Sequence, residues 1–301
     1  MNDTIGNHRK RVNISQTVLN IVFILICACY IIPLCMIITI AFSDTQNVAS
    51  EGFKIIPTEI DFTAIKIVFS NTRKIVQAYF VTITSSLMHT VLSVILQGLI
   101  AYPMSRSYFP LRKGLTGFVF LTMLFSAGLI PTYIVYTKFL HLNDTIWVHV
   151  LPGAVSAWNV MIVRTFYMGL PGELNEAARI DGAGEFRTFL SIIVPLAKPC
   201  YATVGFLTLV SKWNDWYTSL VYIRSPKLYS LQYLLQTMLR NIESIKEMQN
   251  NFAAASDLYG SIASEPVRFA MALVAAGPVL LIFPLFQKHF SKGMVIGAVK
   301  G

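Results

Sequence analysis

From Val18 to Gln287 the chain alternates long apolar runs with short polar, charged segments. Val18 to Phe42 is an apolar run of 25 residues. That is too long for a signal-peptide core and enough to cross a hydrocarbon layer of ~30 Å. No small-residue cleavage site follows it, so it reads as a retained first spanning helix, with a kink expected at Pro33. Further spans are predicted at about 78–102, 114–137, 146–169, 200–222 and 267–287. The third is interrupted at Gly128 and Pro131 and the fourth at Pro152-Gly153. Broken helices survive in a bilayer only where protein or a wet cavity satisfies the freed backbone groups, so these two are expected to border a pathway. His89 and Gln97 fall inside the second span and must face protein or water; a hydrogen-bonded packing histidine is the favoured reading. Between the fifth and sixth spans, Leu231, Leu234, Leu235, Met238, Leu239, Ile242 and Ile245 recur at i, i+3, i+4. They predict an amphipathic helix lying at the outer surface.

The pattern gives an all-α polytopic membrane protein with six transmembrane helices. It comprises an N-terminal segment 1–17, a six-helix domain 18–288 and a tail 289–301, with no internal repeat. Composition agrees: 54% hydrophobic residues, 13% charged residues and a mean hydropathy of +0.59. A net charge of +9 would suit nucleic acid if clustered, but the cations are scattered between apolar spans. With the N-terminus inside, the inner segments 1–17, 103–113, 164–199 and 288–301 carry 13 Lys/Arg against five Asp/Glu. The outer segments 43–77, 138–145 and 223–266 carry nine of each. The positive-inside bias therefore puts both termini and the 171–199 loop in the cytoplasm. Cys27, Cys29, Cys35 and Cys200 lie in or beside apolar runs, with spacing that fits neither a zinc site nor a disulfide framework.

The most informative polar stretch is Glu173 to Pro199, ELNEAARIDGAGEFRTFLSIIVPLAKP. Pro171-Gly172 ends the preceding helix, and Glu173 and Glu176 sit where a helix N-terminus favours anions. Ala177 and Ala178 keep one face small, open to close approach by another protein. Asp181-Gly182 signals a turn, and Phe186, Phe189, Ile192 and Ile193 follow at helical spacing before Pro195 and Pro199 bend the chain.

Glu176-Ala177-Ala178, Asp181-Gly182-Ala183, Phe189, Ile192 and Pro195 together resemble the cytoplasmic EAA loop of ABC-importer permeases, specifically the sugar-importer branch related to the maltose permeases. The residues from Phe286 to Phe290, with Lys292-Gly293 and Gly297 to Gly301, resemble the C-terminal signature of the same branch. The resemblance implies a type I ABC importer permease fold, with Glu176, Ala177, Ala178, Asp181, Gly182 and Ala183 on a coupling helix docked on the ATPase. It implies a second homologous permease subunit, two ABC ATPase subunits and an extracellular solute-binding protein as partners. Its setting is the bacterial cytoplasmic membrane, and segment 223–266 corresponds by position to a loop reaching the binding protein. Within the branch the chain looks most like permeases for oligosaccharides of the plant-polysaccharide or uronide kind.

The chain has no G-x-x-x-x-G-K-[ST] phosphate loop, no G-x-S-x-G turn, no H-E-x-x-H helix and no paired intramembrane carboxylates. The expectation is a transport subunit that binds no cofactor or metal, ATP and Mg sitting on the partner ATPase. For substrate contact, Trp213, Asn214, Asp215 and Trp216 are the candidates, with Trp158-Asn159 a second pair. Aromatic rings stack on sugar faces, and Asn and Asp bond hydroxyls. The alternative is that the aromatics form an interfacial belt and Lys212 pairs with Asp215. A permease of a non-sugar ABC importer and a stand-alone secondary carrier remain competing functions. The carrier would need ion-coupling residues, and Asp215 is the only acid inside a predicted span.

Overall fold

The computed structural model describes residues 14–44, 47, 48, 52, 54, 59–251 and 265–298, and among these every extended regular element is helical. In chain order the principal helices are α1 (Ile14–Ala41), α2 (Thr63–Val68), α3 (Thr72–Ser105), α4 (Arg112–Leu124), α5 (Leu129–Ile134), α6 (Trp147–Val150), α7 (Ala157–Met168), α8 (Glu173–Ile180), α9 (Glu185–Thr188), α10 (Val194–Leu196), α11 (Lys198–Trp213), α12 (Tyr217–Tyr222), α13 (Leu231–Asn251) and α14 (Glu265–Ala298). π-Turns extend α5 over Val135–Phe139 and join α9 to α10 over Phe189–Ile193.

The chain divides into two compact units. The first takes residues 1–70 and 242–274. Its α1 exposes apolar side chains on every face, from Val18 through Phe23 to Ile38, as a helix does when its solvent is lipid. An antiparallel bridge between Ser43 and Ile60 follows, with Phe42 and Phe62 packed edge-to-face at 5.6 Å. Asp61 accepts bonds from the backbone and hydroxyl of Thr63 and so opens α2. Arg268 ties Glu243 and Glu265 at 3.0 and 3.5 Å.

The second unit, residues 71–241 and 275–301, is built around α3, 34 residues and about 50 Å long. One face of α3 carries a buried polar row, Thr82, Ser85, Ser86, His89, Ser93 and Gln97. Part of that row serves the breaks in neighbouring helices. His89 Nδ1 donates to Val150 O at 2.7 Å and Gln97 Nε2 donates to Ala154 O at 3.3 Å, satisfying carbonyls freed where Pro152-Gly153 separates α6 from α7. Thr82 Oγ1 accepts from Leu231 N at the start of α13. His89 is thus the packing histidine the sequence favoured, in its Nδ1–H form. Gly98 brings α3 close to its neighbours: a Cβ there would meet the Tyr201 hydroxyl at 2.9 Å. Below it, Ala101, Met104, Val160, Val163, Tyr167, Phe189, Ile193 and Val204 form the main core.

Among the described residues, three helical stretches are long and apolar enough to cross a membrane, 16–41, 63–105 and 265–282, or up to five if each of two bent pairs is one span. The predicted third span is bent by 112° between α4 and α5, at Gly128 with φ +80°; Pro131 does not interrupt it, lying in the first turn of α5 where a missing N–H costs little. The predicted fourth span is two short helices. The predicted fifth is also discontinuous, because α11 ends at Trp213 and α12 begins at Tyr217. α14 runs past the expected end of the sixth span to Ala298. Side chains of the C-terminal signature, and residues 252–264 of the outer segment, lie outside the described residues.

Candidate coupling segment and substrate pocket

α8 is a two-turn helix with Glu173 and Glu176 in its first turn. Its exit is closed by two backbone bonds, Gly182 N to Arg179 O at 3.0 Å and Ala183 N to Ala178 O at 2.9 Å. This double closure needs a left-handed residue after Asp181, and Gly182 supplies it at φ +74°. Glu176, Ala177 and Asp181 are exposed, Ala183 is half-buried, and no ion pair among the described residues uses Glu176. Ala178 differs from the expectation of a shared small outer face. It is 4% exposed, so the close approach it permits is to its own chain, and Ala177 alone keeps the outer face small.

Behind α8 sits a cluster that the spacing of residues did not announce. The Glu185 carboxylate accepts from the Tyr108 hydroxyl at 2.6 Å, the Tyr102 hydroxyl at 2.9 Å and Arg179 Nη2 at 3.0 Å. The Arg179 guanidinium also lies over the Tyr108 ring at 3.9 Å, and Arg106 over the Tyr102 ring at 4.4 Å. Partial burial raises the Glu185 carboxyl, but bonds from Tyr108, Arg179 and Tyr102 outweigh it and hold the group below the usual carboxylate range. Burial, then the bond to Glu185, pushes the Tyr108 phenol up. One side chain thereby links α8, the start of α9, the last turn of α3 and the 106–111 loop. It adjoins a cavity of about 350 Å³ walled by Leu99, Pro103, Phe109, Phe186 and Phe189.

The second candidate lies at the α11–α12 break. Lys212 Nζ meets Asp215 at 3.2 Å, and Asp215 also accepts from Thr218 N at 3.0 Å and Thr218 Oγ1 at 2.6 Å, in the first turn of α12. Trp213 is 3% exposed; its Nε1 donates to Ala275 O at 2.9 Å and its ring lies 6.4 Å from Tyr79. It therefore does not present a stacking face. Asn214 and Trp216 are exposed and line a pocket of about 250 Å³ with Ser211, Lys212, Asp215 and Tyr217. Asn214 also accepts from Gln232, and Arg240 lies 5.9 Å over the Trp216 ring. Trp158 and Asn159 do not line this pocket; Trp158 is exposed on α7, and Asn159 donates to Thr208 Oγ1 at 3.3 Å. Trp213→Ala should therefore lower the yield of folded protein, by the ~3–5 kcal/mol of a large aromatic-to-alanine change in a core. Trp216→Ala should leave yield unchanged. Comparing detergent-extracted yield and melting temperature of the two variants checks this.

Residues 94–296 match the family described as the binding-protein-dependent transport system inner membrane component. The chain belongs to this family. Among curated relatives, the polygalacturonan/rhamnogalacturonan transport system permease protein YtcP of Bacillus subtilis is 35% identical, the alignment covering 93% of this chain and 95% of that one. Protein LplC of the same organism is 35% identical over 90% of each chain. The arabinooligosaccharides transport system permease protein AraQ of Bacillus subtilis is 26% identical over 98% of this chain and 99% of its own. A solved bacterial ABC transporter, involved in import of the acidic polysaccharide alginate, superposes with TM-score 0.77 at 25% identity, over 92% of this chain and 96% of that one.

The matched region of this inner membrane component contains every candidate residue named above. Reading the sequence missed Glu185, Tyr102 and Tyr108, because a single Glu among loop charges and two tyrosines 77 and 83 residues away leave no local pattern.

Proposed function

We propose that the chain is the permease subunit of an ATP-driven oligosaccharide importer, forming half of the translocation pathway and coupled through Glu176–Ala183 to a separate ATPase. The observation that carries the reading is the exposed, acidic, glycine-closed helix α8, sitting within the region 94–296 that matches the family and held to the end of α3 through Glu185. Its partners would be a second permease, two ATPase subunits carrying ATP and Mg, and an extracellular solute-binding protein. Closing of the ATPase dimer would push α8, and the Glu185 cluster would pass that displacement to α3, the helix on which the second unit is assembled.

Six spans are assigned as α1, α3, α4 with α5, α6 with α7, α11 with α12, and α14, with both termini, the 171–199 loop and the 289–301 tail in the cytoplasm and segment 223–266 outside. Charge asymmetry supports that orientation. With native cysteines removed, Lys227→Cys should react with an impermeant maleimide in intact cells and Arg187→Cys should not. The reverse result would place α8 outside and end the coupling reading.

For substrate, the names of YtcP and of the alginate importer favour an acidic, uronide-type oligosaccharide. Trp216, with Asn214 and the nearby Lys212 and Arg240, is the contact surface assigned here. Oligogalacturonide should raise ATP hydrolysis by the reconstituted complex with its binding protein, and Trp216→Ala should remove that stimulation. Equal stimulation by neutral maltodextrins would refute the substrate class.

A further inference from the structure

The last turn of α3 leaves carbonyls without helical partners, and Met104 O collects two cations: Arg112 Nε donates to it at 3.2 Å and Arg164 Nε at 3.0 Å. Capping one carbonyl needs one donor. Two guanidinium groups on one oxygen bring like charges side by side, a repulsion that an anion between them would relieve. Their further known contact is weak, Arg112 Nη2 to the Met168 sulfur at 3.8 Å. Lys113, exposed and in no described ion pair, adds a third charge. The three line one pocket of about 690 Å³ together with the hydroxyl groups of Ser107 and Thr116, and among the described residues no acidic side chain lines it. The nearest acid in the cluster described above, Glu185, is already held by Arg179, Tyr102 and Tyr108.

The position of the pocket selects among anions. It lies where one apolar helix ends and α4 begins, and the next turns of α4 present Phe118, Phe120, Leu121 and Leu124, each at least half exposed. A free phosphate would use the cations and leave that apolar face unexplained; a two-chain lipid would use both. We propose that Arg112, Lys113 and Arg164 seat the headgroup phosphate of an anionic phospholipid, its acyl chains running along the exposed face of α4. The inference rests on membrane insertion and not on the coupling reading. A lipid here would brace the 106–111 loop that carries Tyr108.

The test uses the assembled importer in nanodiscs of equal parts phosphatidylcholine and phosphatidylglycerol. After transfer to detergent, retained lipid is measured by native mass spectrometry. Wild type should retain phosphatidylglycerol over phosphatidylcholine. Lys113→Gln, which removes no hydrogen bond seen in the structure, should cut retention about fivefold, and Arg112→Gln with Arg164→Gln about twentyfold. Should the double variant fail to fold, Lys113→Gln decides alone. Unchanged retention in Lys113→Gln, or an equal loss in the charge-matched control Lys227→Gln, overturns the proposal. So does displacement of the lipid by excess inorganic phosphate, which would mark a site for soluble anions. Retention seen only after the ATPase is stripped away would make the ATPase the occupant, and would equally overturn it.

Discussion

Glu176→Lys protein should reach the membrane in normal amount and import nothing. The carboxylate is exposed on the first turn of α8 and forms no described ion pair, so reversing its charge removes no internal contact. An exposed substitution of this kind alters stability by no more than ~0.5 kcal/mol. Any large loss must therefore arise at a surface the chain presents to something else. A docking contact of a few residues concentrates its energy, and reversing a charge at its centre commonly costs ~2 kcal/mol or more. Ala177→Trp, on the outer face, should prevent ATPase copurification by bulk alone. Ala178→Trp should do so too, but by a different route: the site is buried, so the larger ring would distort α8 itself. Gly182→Val belongs with the second kind, since a branched residue at φ +74° stores ~1–3 kcal/mol and breaks the double closure. Near-normal uptake by Glu176→Lys, with full ATPase recovery on Ala177→Trp, would refute docking through this helix.

The features legible in the sequence were those written locally. α8, its acidic first turn and its glycine exit are all coded within ten residues, and the structure has them where the sequence put them. The repeat of Leu231, Leu234, Leu235 and Ile242 likewise gave α13, with those four side chains buried. Hydropathy was blunter. It marked the apolar stretches, and Pro152-Gly153 announced the break in 146–169, but a window average does not register the three residues, 214–216, that leave the helix within 200–222. Those breaks depend on partners far along the chain: His89 and Gln97 on α3 hold the carbonyls at 150 and 154.

The same distance in sequence explains the mixed fate of the Lys212–Tyr217 cluster. Composition made Trp213 and Trp216 look equivalent. Nothing local says that Trp213 reaches Ala275, 62 residues on, while Trp216 stays at the pocket mouth. The Lys212–Asp215 pair, by contrast, is an i,i+3 contact and could be anticipated from spacing. Partner contacts are expected at the exposed members of each cluster, and internal bracing at the buried ones.

Glu185→Ala should uncouple the importer without dismantling it. The carboxylate is half exposed, so its ion pair with Arg179 contributes ~0–1 kcal/mol to stability, and the freed tyrosine hydroxyl groups can bond water. What disappears is the only described side chain that bonds α8, the last turn of α3 and the 106–111 loop together. Uptake should fall about tenfold, in line with coupling energies of ~0.5–2 kcal/mol, while ATP hydrolysis persists and no longer responds to the binding protein. Glu185→Gln keeps an acceptor for the tyrosines and should recover part of the coupling; Tyr108→Phe should lose part of it. The pH profile gives a separate check. Because the folded carboxyl titrates below its ordinary value, its contribution is present above that value and is lost as pH falls through the depressed one. The ratio of sugar imported to ATP hydrolysed should therefore be flat from about pH 8 to about pH 6 and decline only toward about pH 4. A fall in uptake that merely tracks the amount of assembled complex, with that ratio unchanged, would reduce Glu185 to a structural contact and leave coupling to α8 by some other path.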